Sequence, residues 1–187
     1  NIRLVDMLQA RLWILRGELA PAERWAHENS LIEHPITDII ASAGLHAAGS
    51  EFVYSEYLTL AHLYLAKHEA NAALQVIDPL LNVAETLGYM RRVLFLLVLK
   101  TVSLHQKKEV EPAVELLGQV LKLSEPEGYL RVYLDEGEPM VQLLNRAIAR
   151  GYSPIYAKKI LAAFTQSSPV SDGPVNKYSV LQSILEP

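Results

Sequence analysis

Tyr57-Leu58-Thr59-Leu60-Ala61-His62-Leu63-Tyr64-Leu65-Ala66-Lys67-His68-Glu69-Ala70-Asn71-Ala72-Ala73 is the stretch on which the fold turns. Its apolar residues recur three and four apart up to Ala66, which is the period of a helix. Lys67-His68-Glu69 interrupts the run, and a second apolar series follows from Ala70. The interruption also recurs along the chain. His68-Glu69-Ala70-Asn71-Ala72-Ala73 matches Gly17-Glu18-Leu19-Ala20-Pro21-Ala22 and Lys108-Glu109-Val110-Glu111-Pro112-Ala113, at steps of 51 and 40 residues. A second motif repeats as well: Gly88-Tyr89-Met90-Arg91-Arg92-Val93 returns 40 residues later as Gly128-Tyr129-Leu130-Arg131-Val132. Self-similarity at such a period names an architecture of stacked units. One unit cannot bury its own apolar face, so neighbours stack to cover it.

Composition limits what such a stack can do. Of 187 residues, 50% are apolar and 20% charged, enough for a packed core and too apolar for global disorder. The net charge of -4 offers no basic footprint, so direct nucleic-acid contact by these residues is not expected. The absence of cysteine excludes disulfides, thiolate metal sites and thiol catalysis, and suits a cytoplasmic protein. No signal peptide is visible at the N-terminus. The longest apolar run, Val93 to Leu99, is fenced by Arg91, Arg92 and Lys100, and is far short of the ~20 residues that span a bilayer. No membrane partner is expected. The chain starts at Asn1 rather than Met, and we expect a piece of a longer protein.

The chain reads as helical nearly throughout. Helices are predicted over about Ile2–Arg16 and Pro21–Ser30. The stretch Ile36–Ser50 is ambiguous, because Gly44 and Gly49 weaken its helical pattern. Two hairpins follow, Glu51–Lys67 with Glu69–Thr86 and Tyr89–Gln106 with Glu109–Ser124. A kink is expected at Pro79. Pro126 should open a helix that ends near Asp135 to Gly137, and Pro139 another that runs to Arg150. Ser153-Pro154 reads as an N-cap and start for a last helix to Phe164. Residues 165–187 read as a linker rich in Ser, Pro, Asp and Gly, closed by the apolar patch Val180 to Leu185.

The central hairpin resembles a tetratricopeptide repeat. That motif places an aromatic residue, a Leu, a small residue and a second aromatic on the first helix, and a small residue on the second. Tyr57, Leu60, Ala61, Tyr64 and Ala73 fill those places. Ala61 and Ala73 then mark the helix crossing, where only small side chains let the backbones approach. The equivalent sets are Asp6, Gln9, Ala10, Trp13, Ala22 and Leu97, Lys100, Thr101, Leu104, Ala113. They keep the small crossing residues and lose the first positions. The expected fold is therefore all-α, with about four antiparallel hairpins stacked into a right-handed superhelix over residues 1–164.

A period near 40 exceeds the motif's usual length of about 34. Together with Leu58 to Ala66, the segment Leu123 to Met140 and Tyr156 to Phe164, it resembles the helical-repeat domain of the large ATP-binding LuxR-type transcription regulators, a group that includes the maltose-regulon activator. The segment Glu127 to Met140 is the most specific part of this likeness. The resemblance implies a sensor domain that receives a small-molecule inducer or a regulatory protein, with self-association possible. It also implies a linker and a Leu-Glu-Pro-like tripeptide before a helix-turn-helix, and the chain ends at Leu185-Glu186-Pro187. ATP would belong to an N-terminal domain outside this chain. A general adaptor for peptides or proteins is the alternative reading.

Residue chemistry points to binding rather than catalysis. The six histidines, His27, His34, His46, His62, His68 and His105, never make the His-Glu-x-x-His spacing of a helical metal site. No phosphate loop occurs. The acidic residues Glu125, Glu127, Asp135, Glu136 and Glu138 flank helix starts, where carboxylates suit the dipole, and lack the alternation of a Ca²⁺ loop. No cofactor is expected in this chain. By the repeat alignment, the inner groove should be lined by Leu4, Met7, Arg11 and Ile14, then Ser55, Leu58, His62 and Leu65, then Phe95, Val98, Val102 and His105. This mostly apolar set fits a small-ligand pocket, and equally a groove that closes on its neighbours. Arg91, Arg92 and Arg131 each follow a Gly-Tyr and open a helix, where a cation opposes the dipole. At least one of them is expected to anchor inter-repeat packing or an anionic ligand.

Overall fold

The computed structural model describes residues 2–167 and, among them, ten helices. They are α1 (Ile2–Arg16), α2 (Leu19–Glu28), α3 (Ile36–Ala48), α4 (Glu51–Ala66), α5 (Ala70–Thr86), α6 (Met90–Gln106), α7 (Val110–Ser124), α8 (Arg131–Leu134), α9 (Glu138–Ala149) and α10 (Pro154–Ser167). α1 with α2, α4 with α5 and α6 with α7 form antiparallel hairpins, and α5 packs on α6 to join two of them. α8 and α9 make a shortened fourth unit, covered by α10.

The small crossing residues do what the motif requires. Ala10, Ala22, Ala61, Ala73, Thr101 and Ala113 are all fully buried. Thr101 fits because its hydroxyl donates to the Leu97 carbonyl within its own helix, 2.8 Å away. The turn inside each hairpin is also repeated. Gly17, His68 and Lys108 hold φ of 76°, 60° and 65°, the left-handed conformation that ends a helix.

Several elements differ from expectation. α3 is helical from Ile36 to Ala48, with an abrupt change of direction at Gly44, whose φ of 83° and ψ of 174° lie outside the helical region. It packs against α4 and α5, beside the hairpin stack. α5 holds Pro79 within its helical span, as the sequence reading places it, and the missing N–H removes one backbone donor there. The helix expected from Pro126 shrinks to the single turn of α8, because Gly128 turns left-handed at φ 67° and ends the preceding turn. Ser153 has φ 36°, and its hydroxyl donates to Glu125 Oε2 at 2.9 Å, tying the start of α10 to the end of α7. α10 continues to Ser167, three residues beyond Phe164. The rest of the linker and the patch Val180 to Leu185 lie outside the described residues.

The fourth unit is tied by hydroxyls. Tyr133 is fully buried, and its Oη bonds Ser124 Oγ at 2.5 Å. Tyr156 meets the Tyr133 ring edge-on at 6.4 Å and donates to the Tyr129 carbonyl at 2.5 Å. Burial pushes the Tyr133 phenol well above its ordinary pKa, so it stays a neutral donor.

Candidate groove on the inner helices

The first helices of the three hairpins, α1, α4 and α6, carry the residues predicted to line a groove, with Arg131 added from α8. The structure divides them. Met7, Leu58, Leu65, Val98 and Val102 are buried. Arg11, Ile14, Ser55, His62, Phe95 and His105 are half-buried, while Leu4 and Arg131 are exposed. Val98 and Val102 thus stand in the core and offer no open wall, Val98 at 0% exposure.

A physical reason lies in the segment after α8. Glu136, only 11% exposed, brings its carboxylate within 3.8 Å of His62 Nε2 on α4. His62 Nδ1 donates to the Leu58 carbonyl at 2.8 Å, which fixes the ring towards Glu136. α8 and α9 both pack on α6. The turn Asp135 to Gly137 therefore crosses from the fourth unit back to α4, over the middle of the array. At His62 this turn takes up part of the predicted groove, while Ser55, Phe95 and His105 stay half-buried.

The polar groups left in this region are few. Gln106 Nε2 donates to the Leu65 carbonyl at 3.0 Å, linking the ends of α6 and α4. Its Oε1 and His105 Nδ1 are buried and have no hydrogen-bond partner among the described residues. Neither Gln106 nor Glu136 was singled out as a groove residue. Glu136 had a visible signal in the acidic cluster, but its meeting with a histidine 74 positions earlier has no local trace.

The arginines separate as well. Arg92 is the structural anchor. It donates to the Gly49 carbonyl at 2.6 Å and to Glu51 Oε2 at 2.5 Å, and its guanidinium lies over Tyr54 and Tyr89 at 4.4 and 4.7 Å. It thereby fixes α6 to the junction of α3 and α4. Burial pushes the Tyr54 phenol up to about 12, against the opposing pull of Arg92. Arg91 lies 5.9 Å from the Phe95 ring. Arg131 points to solvent and pairs only with Asp135 at 3.3 Å among the described contacts.

At the first hairpin, Arg3 donates to Glu56 at 2.9 Å. Burial holds the Glu56 carboxyl above the usual carboxylate range, while Arg3 partly offsets it. A cleft of about 250 Å³ opens between α1 and α2, lined by Asp6, Trp13, Pro21, Arg24, Trp25, Glu28 and Asn29. Among the described residues, no group of three acidic or histidine side chains could hold a metal ion, and no helix is long and apolar enough to cross a membrane.

This arrangement of stacked hairpins with alanine crossings coincides with a family model described as the MalT-like TPR region, which matches residues 1–150. The chain belongs to that family. In this MalT-like region the match runs from α1 to the end of α9 and takes in the turn that carries Glu136. Comparison with curated proteins found no match, and comparison with solved structures found none.

Proposed function

We propose that this MalT-like region is the sensor and interaction domain of a LuxR-type transcription regulator. It receives an inducer or a regulatory protein and relays that event to DNA binding by another domain. The observation that carries the reading is the family match over residues 1–150, in which the Glu127 to Met140 segment bends back over the inner helices. Repeat arrays of this kind present curved binding surfaces, and nothing in the chemistry of this chain asks for catalysis. With no phosphate loop here, ATP in this reading is bound elsewhere in the polypeptide.

A ligand can act only by binding one arrangement of the array better than another. The contact of Glu136 with His62 supplies a joint that a ligand could remake, since it bridges units not adjacent in sequence. Near the end of α6, the buried atoms His105 Nδ1 and Gln106 Oε1 have no hydrogen-bond partner among the described residues and would pair with a ligand that reached them.

The test is to sequence the reading frame beyond Pro187. The expected result is a helix-turn-helix with a basic recognition helix within the next ~60 residues. A frame that stops, or continues as repeats, sinks the regulator reading. A general adaptor for peptides or proteins then takes its place.

A further inference from the structure

The cleft between α1 and α2 is built from residues that the other two hairpins do not use. Asp6 and Trp13 stand seven positions apart on α1 and share one face of it, away from the face of Leu4, Met7 and Arg11. Trp25, Glu28 and Asn29 supply the other wall. Steps of 51 and 40 residues give the equivalents. Asp6 corresponds to Tyr57 and Leu97, Trp25 to Val76 and Leu116, and Asn29 to Leu80 and Val120. Tyr57, Val76, Leu80 and Val120 are buried, and Leu97 and Leu116 pack half-buried against the core. These positions carry aromatic or aliphatic packing in two hairpins. In the first hairpin each holds a polar atom, and an opening of about 250 Å³ lies between them.

The polar groups of the cleft are left unmatched. Trp25 is 3% exposed, and its indole N–H has no acceptor among the described residues. Packing at this position asks only for hydrocarbon, as Val76 and Leu116 show, so the N–H is an addition that costs stability until something accepts from it. Asp6, Arg24 and Glu28 form no ion pair among the described residues, although Arg24 and Glu28 stand four apart on one helix. Two carboxylates against one guanidinium leave the lining net negative.

We propose that this cleft is a binding site for one arginine residue of a partner peptide. The peptide carbonyl beside that arginine accepts from the Trp25 indole N–H. Its guanidinium pairs with Asp6 and Glu28, and its stem and planar head lie along Trp13, since indole is the best aromatic partner for a cation. The size of the cleft argues for a side chain rather than a whole small molecule, because sites that enclose such a ligand run to roughly 300–1,000 Å³. A basic residue in a peptide also carries both groups that the cleft lacks, a carbonyl acceptor and a cation, within one residue. The site serves a regulator and an adaptor alike, so a reading frame that stops after Pro187 leaves it standing.

The chain has two tryptophans, Trp13 and Trp25, and both line the cleft. Its two indole N–H signals in a proton–nitrogen NMR spectrum therefore report from this site, and Trp25→Phe assigns them. The probe is N-acetyl-arginine amide, with the neutral isostere N-acetyl-citrulline amide and the bare cation methylguanidinium as controls at matched ionic strength. The expected result is a saturable downfield shift of the Trp25 signal, half-complete on the order of 1 mM for a ligand of ~15 heavy atoms. Citrulline and methylguanidinium should each bind about ten-fold more weakly or worse. Asp6→Asn combined with Glu28→Gln should weaken the arginine probe about ten-fold, and Trp25→Phe about three- to ten-fold, followed then by the Trp13 signal. Circular dichroism checks each variant, and if one fails to fold the other decides. No shift up to about 50 mM overturns the proposal, as does equal binding of citrulline or unchanged binding by the carboxamide variant. Methylguanidinium that binds as tightly as the amide also overturns it, because the occupant is then a free cation and the indole N–H goes unused.

Discussion

The first hairpin and the last unit differ in how their polar groups and outer faces are satisfied among the described residues. At the C-terminal end, α8 is one turn long and contributes little area, and the unit is fixed by directed contacts. Tyr133, Ser124 and Tyr156 satisfy one another or a carbonyl, and Tyr152 lies against Gly118 of α7. In the first hairpin α1 is as long as its counterparts, yet Val5 and Leu8 are exposed and the Trp25 indole N–H has no acceptor among the described residues. A unit can be shortened and still satisfy its polar groups, while the full-length first hairpin shows exposed apolar side chains and an unpaired donor among the described residues. In the last unit the satisfied polar groups, rather than helix length, do the fixing, even though α10 leaves Ile155 exposed.

The largest effect on this comparison should come from Gly118→Ala. A Cβ there would stand 2.7 Å from the Tyr152 ring. The gain in helix propensity is smaller than the overpacking, so a net loss of roughly 1–3 kcal/mol is expected by denaturant unfolding. Combining it with Tyr152→Ala should restore part of the loss relative to Tyr152→Ala alone, and a strictly additive pair would contradict the packing account.

Tyr133→Phe comes next. It keeps the ring and removes the hydroxyl that bonds Ser124, at an expected cost of about 1 kcal/mol. A change near zero would mean that Ser124 repairs its bonding through Leu121 alone.

At the other end Glu56→Gln sharpens the contrast through pH. The folded carboxyl has a raised pKa, so folding favours its protonated form. The ionised residue therefore costs stability above its folded pKa, and that cost fades as pH falls through the folded and then the unfolded value. Gln keeps an acceptor for Arg3 without the buried charge. The variant should melt about 1–3 °C higher at neutral pH and no higher than the parent near pH 3–4. A gain that persists in acid would point to a cause other than ionisation.

The smallest effect belongs to Arg131→Ala. Its pair with Asp135 is exposed and four residues apart on one turn, a contact worth under ~0.5 kcal/mol. A larger loss of stability would show that the solvent-facing position hides a partner. Arg92 is the arginine that the array does hold.

Much of the fold was legible because the repeat writes it several times. Ala10, Ala61 and Thr101 announce the first helix of each hairpin, and Ala22, Ala73 and Ala113 the second. The turns between them carry their own punctuation. α3 was harder, since Gly44 bends it and no second copy of it exists to compare. The shrinking of α8 turned on one backbone angle at Gly128. The groove was least legible. Which side of α6 is left accessible depends on where the Glu136 turn lands, and that is decided by packing across the units.

Gly17, His68 and Lys108 share one turn conformation, and a Cβ placed at Gly17 meets nothing within 4 Å. They form a row of outward points, one per hairpin, along a single edge of the stack. Spin labels or fluorophores attached there would act as marks on a ruler. Distances between them report bending and twisting of the array, because each mark moves with its hairpin and none disturbs the core.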